Sequence, residues 1–326
     1  MNSLTTHARV RVPLICGAMY PCSNPELVGT VSAAGGIGII QPISLTFVHG
    51  YDFREGVRLT QQIAQGKPIG FNALIEQSNK FYRERMEKWI EGALEEGIRF
   101  FITSLGNPRW VVDRVAQVGG VVYHDVTELK WGQKGRDAGV HGLIAVNDRA
   151  GGHAGPKSAE HLVDELAPLA LPIVCAGGIG TPEQFRRALD LGYAGAQLGT
   201  RFIATTECNA HPDYKRAIVE ATSKDIVLTE RLTGVPVAVI NNDYVRRLGT
   251  RAGTVARFML RHRTMKHWMR TIYAVKSIYR LKKDLHKGRG AEEYWQAGKS
   301  VDGIHGIEPA ADIVRKFEEA LKNENA

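Results

Sequence analysis

His153 sits in the run Gly151-Gly152-His153-Ala154-Gly155, an imidazole set among glycines directly after an apolar stretch. Imidazole titrates near neutrality. It can take a proton from an acidic carbon, hold an anionic oxygen as a cation, or protonate a carbon after hydride arrives. Two further glycine-rich turns, Ala176-Gly177-Gly178-Ile179-Gly180 and Gly199-Thr200-Arg201, also follow apolar stretches. Turns of this kind gather backbone N–H groups ahead of a helix, an arrangement suited to a phosphate. Glycines also shape tight turns with no ligand in view, but two such turns after consecutive strands favour a phosphate-bearing cofactor. Asp148 and Arg149, just before the glycines, read equally well as an exposed pair or as walls of a pocket. His124, His141, His161, His211 and His305 are scattered and read as structural. No H-E-x-x-H, C-x-x-C or carboxylate cluster suggests a metal site, and no G-x-S-x-G elbow supports a serine hydrolase.

These groups need a scaffold that brings strand ends together. Short apolar runs recur at Val12–Cys16, Ile37–Ile40, Pro68–Asn72, Arg99–Thr103, Gly120–His124, Gly142–Val146, Pro172–Ala176 and Ala194–Leu198. Continuous rather than alternating apolar character is what a sheet buried on both faces requires. Helical patterns separate the runs. Phe81 to Glu96 places Met86, Ile90, Ala93 and Leu94 on one side, and Pro182 to Leu191 begins after Thr181 as N-cap with proline at the first helical position. Eight β-then-α units predict an α/β fold, a (β/α)8 TIM barrel, whose chemistry lies at the C-terminal ends of the strands. An open doubly wound sheet is the alternative, but no G-x-G-x-x-G follows the first strand. A last helix, Pro309 to Leu321, is expected to return and close the barrel.

The chain has 326 residues, 44% hydrophobic and 23% charged, which suits a large globular barrel with a smaller appendage and excludes a disordered or fibrous chain. No apolar run approaches ~18 residues, so no membrane-spanning helix is expected. The first residues show no charged start followed by an apolar core, so no secretory signal is expected. Cys16, Cys22, Cys175 and Cys208 do not make a disulfide framework; reduced thiols in a cytoplasmic protein are the expectation, with Cys16 and Cys175 as packing residues.

Charge is uneven. From Arg246 to Arg289 there are fourteen Lys and Arg against one acid, Asp284, while the rest of the chain is net acidic. From Gly253 to about Leu285 the pattern is helical, with Met265, Trp268, Ile272, Val275 and Tyr279 on one stripe. Three roles fit: a solvated helical cap, attraction of an acidic partner or substrate, and a helix on a membrane surface. Nucleic acid is disfavoured because no recognition motif accompanies the charge. The expected division is a barrel at 1–206, a smaller, mainly helical basic substrate or cap domain at 207–299, and a C-terminal helix within 300–326.

The set Gly17-Ala18-Met19, Ala33 to Gly38, Gly70-Phe71-Asn72, Gly151 to Gly155, Ala176 to Ile179 and Gly199 to Phe202 resembles the nitronate monooxygenases, formerly called 2-nitropropane dioxygenases. The likeness runs from about Val12 to Lys215 and resumes weakly at Trp295 to Lys299. Close relatives, the FMN-dependent enoyl-ACP reductases, share these signatures. The resemblance implies an FMN barrel, with the phosphate on the backbone of Gly178, Ile179, Gly199 and Thr200. It implies Met19 and Asn72 beside the isoalloxazine and His153 as the catalytic residue. Gly17, Ala18, Asp125, Ala150, Gly151, Gly152 and Gly177 complete the implied cofactor contacts. One departure stands out. Relatives often carry a Lys just after strand 5, where this chain has His124-Asp125. The implied reaction is oxidation of an alkyl nitronate by dioxygen to a carbonyl compound and nitrite; the alternative is reduction of an enoyl thioester by NAD(P)H. The expected partner is a small-molecule substrate, with an acidic nitronate or acyl thioester as the candidate and a homodimer as the candidate assembly.

Overall fold

The computed structural model describes residues 2–76, 80–232, 234–251 and 294–322. Eight parallel strands close into a barrel in chain order: β1 Leu14–Cys16, β2 Ile37–Ile40, β3 Gly70–Leu74, β4 Phe100–Ser104, β5 Val121–Val126, β6 Gly142–Val146, β7 Ile173–Ala176 and β8 Gly195–Leu198. β8 returns to β1 through Leu14↔Ala196 and Cys16↔Leu198, so no sheet edge is left open. The (β/α)8 architecture expected from the alternation is therefore present. Each apolar run is buried on both faces. Inward residues such as Ile15, Ile37, Ile39, Ile102, Tyr123, Ile144 and Val174 fill the barrel, and outward ones such as Leu14, Phe71, Phe101, Val122 and Leu143 pack under the helices.

The helices between strands are α2 Pro25–Ala34, α3 Phe53–Ile63, α4 Lys80–Glu95, α5 Arg109–Ala116, α6 Leu129–Asp137, α7 Ala159–Leu166 and α8 Pro182–Asp190, with a short helical turn at Ser44–Val48 before α3. Helix α4 buries the expected Met86, Ile90, Ala93 and Leu94, while Phe81 is exposed. At α8 the Thr181 side chain accepts from the Gln184 N–H and Gln184 reaches back to the N-cap, a capping box with Pro182 at the first turn. Ahead of β1, α1 (Ser3–Ala8) plugs the N-terminal end of the barrel with Leu4 and Ala8. There His7 Nδ1 lies 3.1 Å from the Tyr123 hydroxyl, and the His7 and His141 rings meet edge to face.

After β8 come α9 Thr200–Ile203 and α10 Pro212–Glu220, then an antiparallel pair, β9 Ile226–Thr229 and β10 Val237–Ile240, and α11 Asp243–Leu248. The expectation of a mainly helical appendage overlooked this hairpin. The helical pattern expected from Gly253 to Leu285 lies outside the described residues. The final helix, α12 Ala310–Lys322, packs on α2 and α8, with Phe317 against Phe185 at 5.3 Å between ring centroids. It stands where a longer helix after β8 would, and closes the helical layer as expected. Among the described residues no helix is long and apolar enough to cross a membrane.

Candidate active site

The alternation of each strand decides what reaches the mouth. On β3, Phe71 and Ala73 pack outward, so Asn72 points inward. On β5, Val122 and Val126 pack outward and Tyr123 inward, which turns Asp125 inward one layer nearer the C-terminal end. On β8, Ala196 and Leu198 pack outward, so Gln197 points inward. Asn72, Asp125 and Gln197 are all half-buried, as the walls of an open mouth should be. Gln197 lies against the turn after β1: a Cβ on Gly17 would stand 2.9 Å from Gln197 Cγ. Ala18 and Met19 continue that turn, and the Met19 N–H donates to Ser23 Oγ at 2.9 Å. Met19 reaches across to the end of β8, its sulfur 3.5 Å from where a Gly199 Cβ would be.

The two glycine turns follow neighbouring strands, β7 and β8. Gly177 and Gly178 have φ of 119° and 78°, a region that favours glycine, and side chains at either would collide with neighbours. A Cβ on Gly178 would lie 2.7 Å from Arg149 Nε, so the Arg149 guanidinium stands against this turn. Arg149 is held there by its Nη2 donating to the Lys299 carbonyl at 3.2 Å and facing Asp302 at 3.5 Å. Of the two open readings, Arg149 therefore belongs to the pocket wall, whereas Asp148 is exposed. The N–H groups of Gly178, Ile179, Gly199 and Thr200 donate no hydrogen bond within the described residues. Four such donors on neighbouring turns, with the Arg149 guanidinium against one of them, are of the kind that suits a terminal phosphate.

Asn147, wholly buried at the end of β6, ties the turns together. Its Nδ2 donates to the Gly177 carbonyl at 3.0 Å, and its Oδ1 accepts from the Arg149 N–H at 2.9 Å. Ala150, Gly151, Gly152 and His153 follow. Gly152 pairs with Ala238 of β10, which also engages the 294–298 segment through the Val239↔Gln296 bridge and the Ile240 N–H to the Trp295 carbonyl. The hairpin thus holds the histidine loop in place. His153 is exposed, yet the protein packed around it lowers its pKa by desolvation. At neutral pH it is an uncharged base. Burial alone pushes the Asp125 carboxyl up to about 7.

Several motif residues serve packing. Arg201 is buried and turned away, paired with Glu308 and donating to the Gly306 carbonyl at 3.2 Å. His124 faces outward, 2.9 Å from Thr103 Oγ1, with burial lowering its pKa to about 4. His211 caps α10 by accepting from the Asp213 N–H. Cys16, Cys22, Cys175 and Cys208 are free, buried thiols. Among the described residues no cluster of His, Cys, Asp and Glu could hold a metal ion. Sequence reasoning passed over Asn147, Gln197 and Gly298. Gln197 left a signal, a lone amide within an otherwise apolar strand.

A closed barrel with glycine turns after its seventh and eighth strands and a histidine on its sixth-strand loop is a (β/α)8 protein whose candidate site lies at the C-terminal strand ends. The chain belongs to the nitronate monooxygenase family, whose model matches residues 2–319, and it is an oxidoreductase. Over 259 residues it is 26% identical to a (3aS,4S,5R,7aS)-5-hydroxy-7a-methyl-1-oxo-octahydro-1H-indene-4-carboxyl-CoA dehydrogenase of Rhodococcus jostii, covering 78% of this chain and 70% of that protein. It is 26% identical to a probable nitronate monooxygenase of Staphylococcus saprophyticus, covering 73% and 78%. The solved structure of FabK from Thermotoga maritima superposes with a TM-score of 0.79 over 99% of this chain and 98% of that one, at 24% identity. That likeness speaks for the fold. The family is flavin-dependent in general.

Proposed function

We propose that the protein is an FMN-dependent nitronate monooxygenase, oxidising alkyl nitronates, or nitroalkanes after deprotonation, with dioxygen to a carbonyl compound and nitrite. The observation that carries this reading is the pairing of backbone N–H donors at Gly178, Ile179, Gly199 and Thr200 with a neutral His153 on the adjacent loop. These donors suit one terminal phosphate, which favours FMN over a dinucleotide. Gly17, Ala18, Met19, Asn72, Asp125 and Gln197 then line the ring, with Ala150, Gly151, Gly152 and Gly177 shaping the turns around it. FMN supplies the electron chemistry when bound. His153 takes the proton from the carbon beside a nitro group, a task an uncharged imidazole performs and an imidazolium cannot.

A second reading, NAD(P)H-dependent reduction of an enoyl-ACP or enoyl-CoA thioester through the same cofactor, is favoured by the CoA thioester in the name of the Rhodococcus relative. We keep the division into a barrel at 1–206, a basic substrate or cap unit at 207–299 and a closing helix within 300–326. A small acidic substrate, a homodimer and a cytoplasmic location complete the proposal. Two assays on purified protein separate the readings. Oxygen uptake with propionate 3-nitronate supports the first; NADH oxidation that requires an enoyl thioester supports the second. The protein is expected to purify yellow, and acid release followed by chromatography should yield FMN. Recovery of FAD instead would overturn the cofactor assignment.

A further inference from the structure

Asp125 is the inward-facing carboxylate of β5, one layer above Tyr123 and in register with Ile144 of β6. Its Oδ1 is buried and has no hydrogen-bond partner among the described residues. Gln197 of β8 presents a second inward oxygen in the same condition. A buried polar atom without a partner is costly, and a buried carboxylate without a counter-ion more so. Two such atoms in one mouth therefore point to a ligand that completes them.

The surroundings decide the charge state. On β5 itself, His124 turns outward onto Thr103, and the Tyr123 hydroxyl lies deeper, against His7. The neighbouring strands contribute Ile102 and Thr103 from β4 and Ile144 and Ala145 from β6, none of them titratable. His153, on the loop above, is neutral for the reason already given. Among the described residues nothing offers Asp125 a positive partner, and desolvation alone raises its pKa, to about 7. The form this environment favours at and below neutrality is the uncharged acid, whose O–H is a donor.

We propose that Asp125 acts as a neutral carboxylic acid in the barrel mouth, donating a hydrogen bond to an acceptor on the polar ring edge of the bound cofactor beside Gln197. The inference rests on the FMN reading above for the identity of the acceptor. Ionisation of Asp125 replaces the donor by a carboxylate facing an acceptor, so affinity falls as the pH rises through its titration.

The full-length protein is stripped of flavin and titrated with FMN by fluorescence quenching from pH 5.5 to 8.5, as wild type and as Asp125→Asn. The asparagine keeps an N–H donor and cannot ionise. FMN's own phosphate titrates in this range, so the quantity read is the ratio of the two affinities at each pH. Wild type should match the variant at pH 5.5 and fall roughly tenfold behind it by pH 8.5. A ratio that stays constant overturns the proposal. Infrared spectra of the protein without FMN give a separate readout. A protonated-carboxyl stretch should be present at pH 6, absent in Asp125→Asn, and lost by pH 8; no such band at pH 6 also overturns it. If the band is present but FMN binds at no pH, the FMN reading fails, and the acceptor assigned here fails with it.

Discussion

Gly298 donates its buried N–H to Thr200 Oγ1 at 2.9 Å, joining the segment before the last helix to the glycine turn after β8. The same glycine touches the histidine loop: a Cβ on Gly298 would lie 2.5 Å from the Gly151 nitrogen, and one on Gly151 would lie 2.8 Å from the Gly298 nitrogen. With Lys299 donating to the Arg149 carbonyl at 2.9 Å, a strap from the far end of the chain fixes both that turn and the loop that carries His153.

Thr200→Val should expose the importance of that bond. The valine preserves volume but leaves the Gly298 N–H buried without an acceptor, which costs about 1–3 kcal/mol. Melting should drop by several degrees, and FMN should bind more weakly because the turn loses its anchor. Thr200→Ser, which keeps the hydroxyl, should restore most of both. Equal melting curves for valine, serine and wild type would show that the bond contributes nothing.

His153→Ala should retain FMN, since the two glycine turns and the inward-facing strand residues lie on other elements. Turnover of a neutral nitroalkane should fall ~10²-fold or more, while a nitronate, already deprotonated, should suffer less. The wild-type pH profile carries a further expectation. Activity on the nitroalkane needs uncharged imidazole, and desolvation lowers the His153 pKa, so the acidic limb should lie below the ordinary histidine value. Steady-state rates on both substrates across pH check this. An acidic limb above that value, or equal losses on both substrates, would remove the base role.

Much of this was legible in the residues because continuous apolar runs report strands buried on two faces. Pro68 and Ile69 fell outside β3, since the ladder begins where Gly70 meets Ile39. β5 ran on to Val126 because its polar pair, His124 and Asp125, sits on opposite faces, one against the helices and one in the mouth. The β9–β10 hairpin escaped notice: its short runs pair only with each other, and the bridge from Ala238 to Gly152 spans more than half the barrel in sequence. Arg149 was ambiguous for a similar reason. Its contact, Gly178, is brought beside it only by the β6–β7 pairing.

Acid should loosen the plugged end of the barrel. His7 and His141 both have pKa values lowered by desolvation, and at His141 the proximity of His7 adds to it. The unfolded chain therefore binds these protons more readily than the folded one. Their contribution to stability is fully present above the ordinary histidine value and is lost as pH falls through the lowered folded values. Urea unfolding between pH 5 and 8 should show stability rising with pH over the acidic part of this range. In His7→Asn, which removes one member of the pair, the slope should flatten. An unchanged slope would place the acid sensitivity elsewhere.

The last expectation uses the charge of the 246–289 segment. If it draws in an acidic substrate such as a CoA thioester, the attraction acts at long range and is screened by salt. The Debye length falls from ~10 Å at 0.1 M to ~3 Å at 1 M ionic strength, so the effect should fade across that interval. Apparent KM for a thioester should rise steeply with salt, and that for a small nitronate should rise less. Reversing the charges of Lys282, Lys283 and Lys287 should reproduce the rise at low salt and leave kcat nearly unchanged, because steering changes encounter rather than chemistry. If the segment is a solvated cap, neither salt nor the triple reversal will move either constant. Steady-state kinetics with one thioester and one nitronate at four salt concentrations distinguish the two, and a salt-independent KM for the thioester would remove substrate recruitment from the segment's roles.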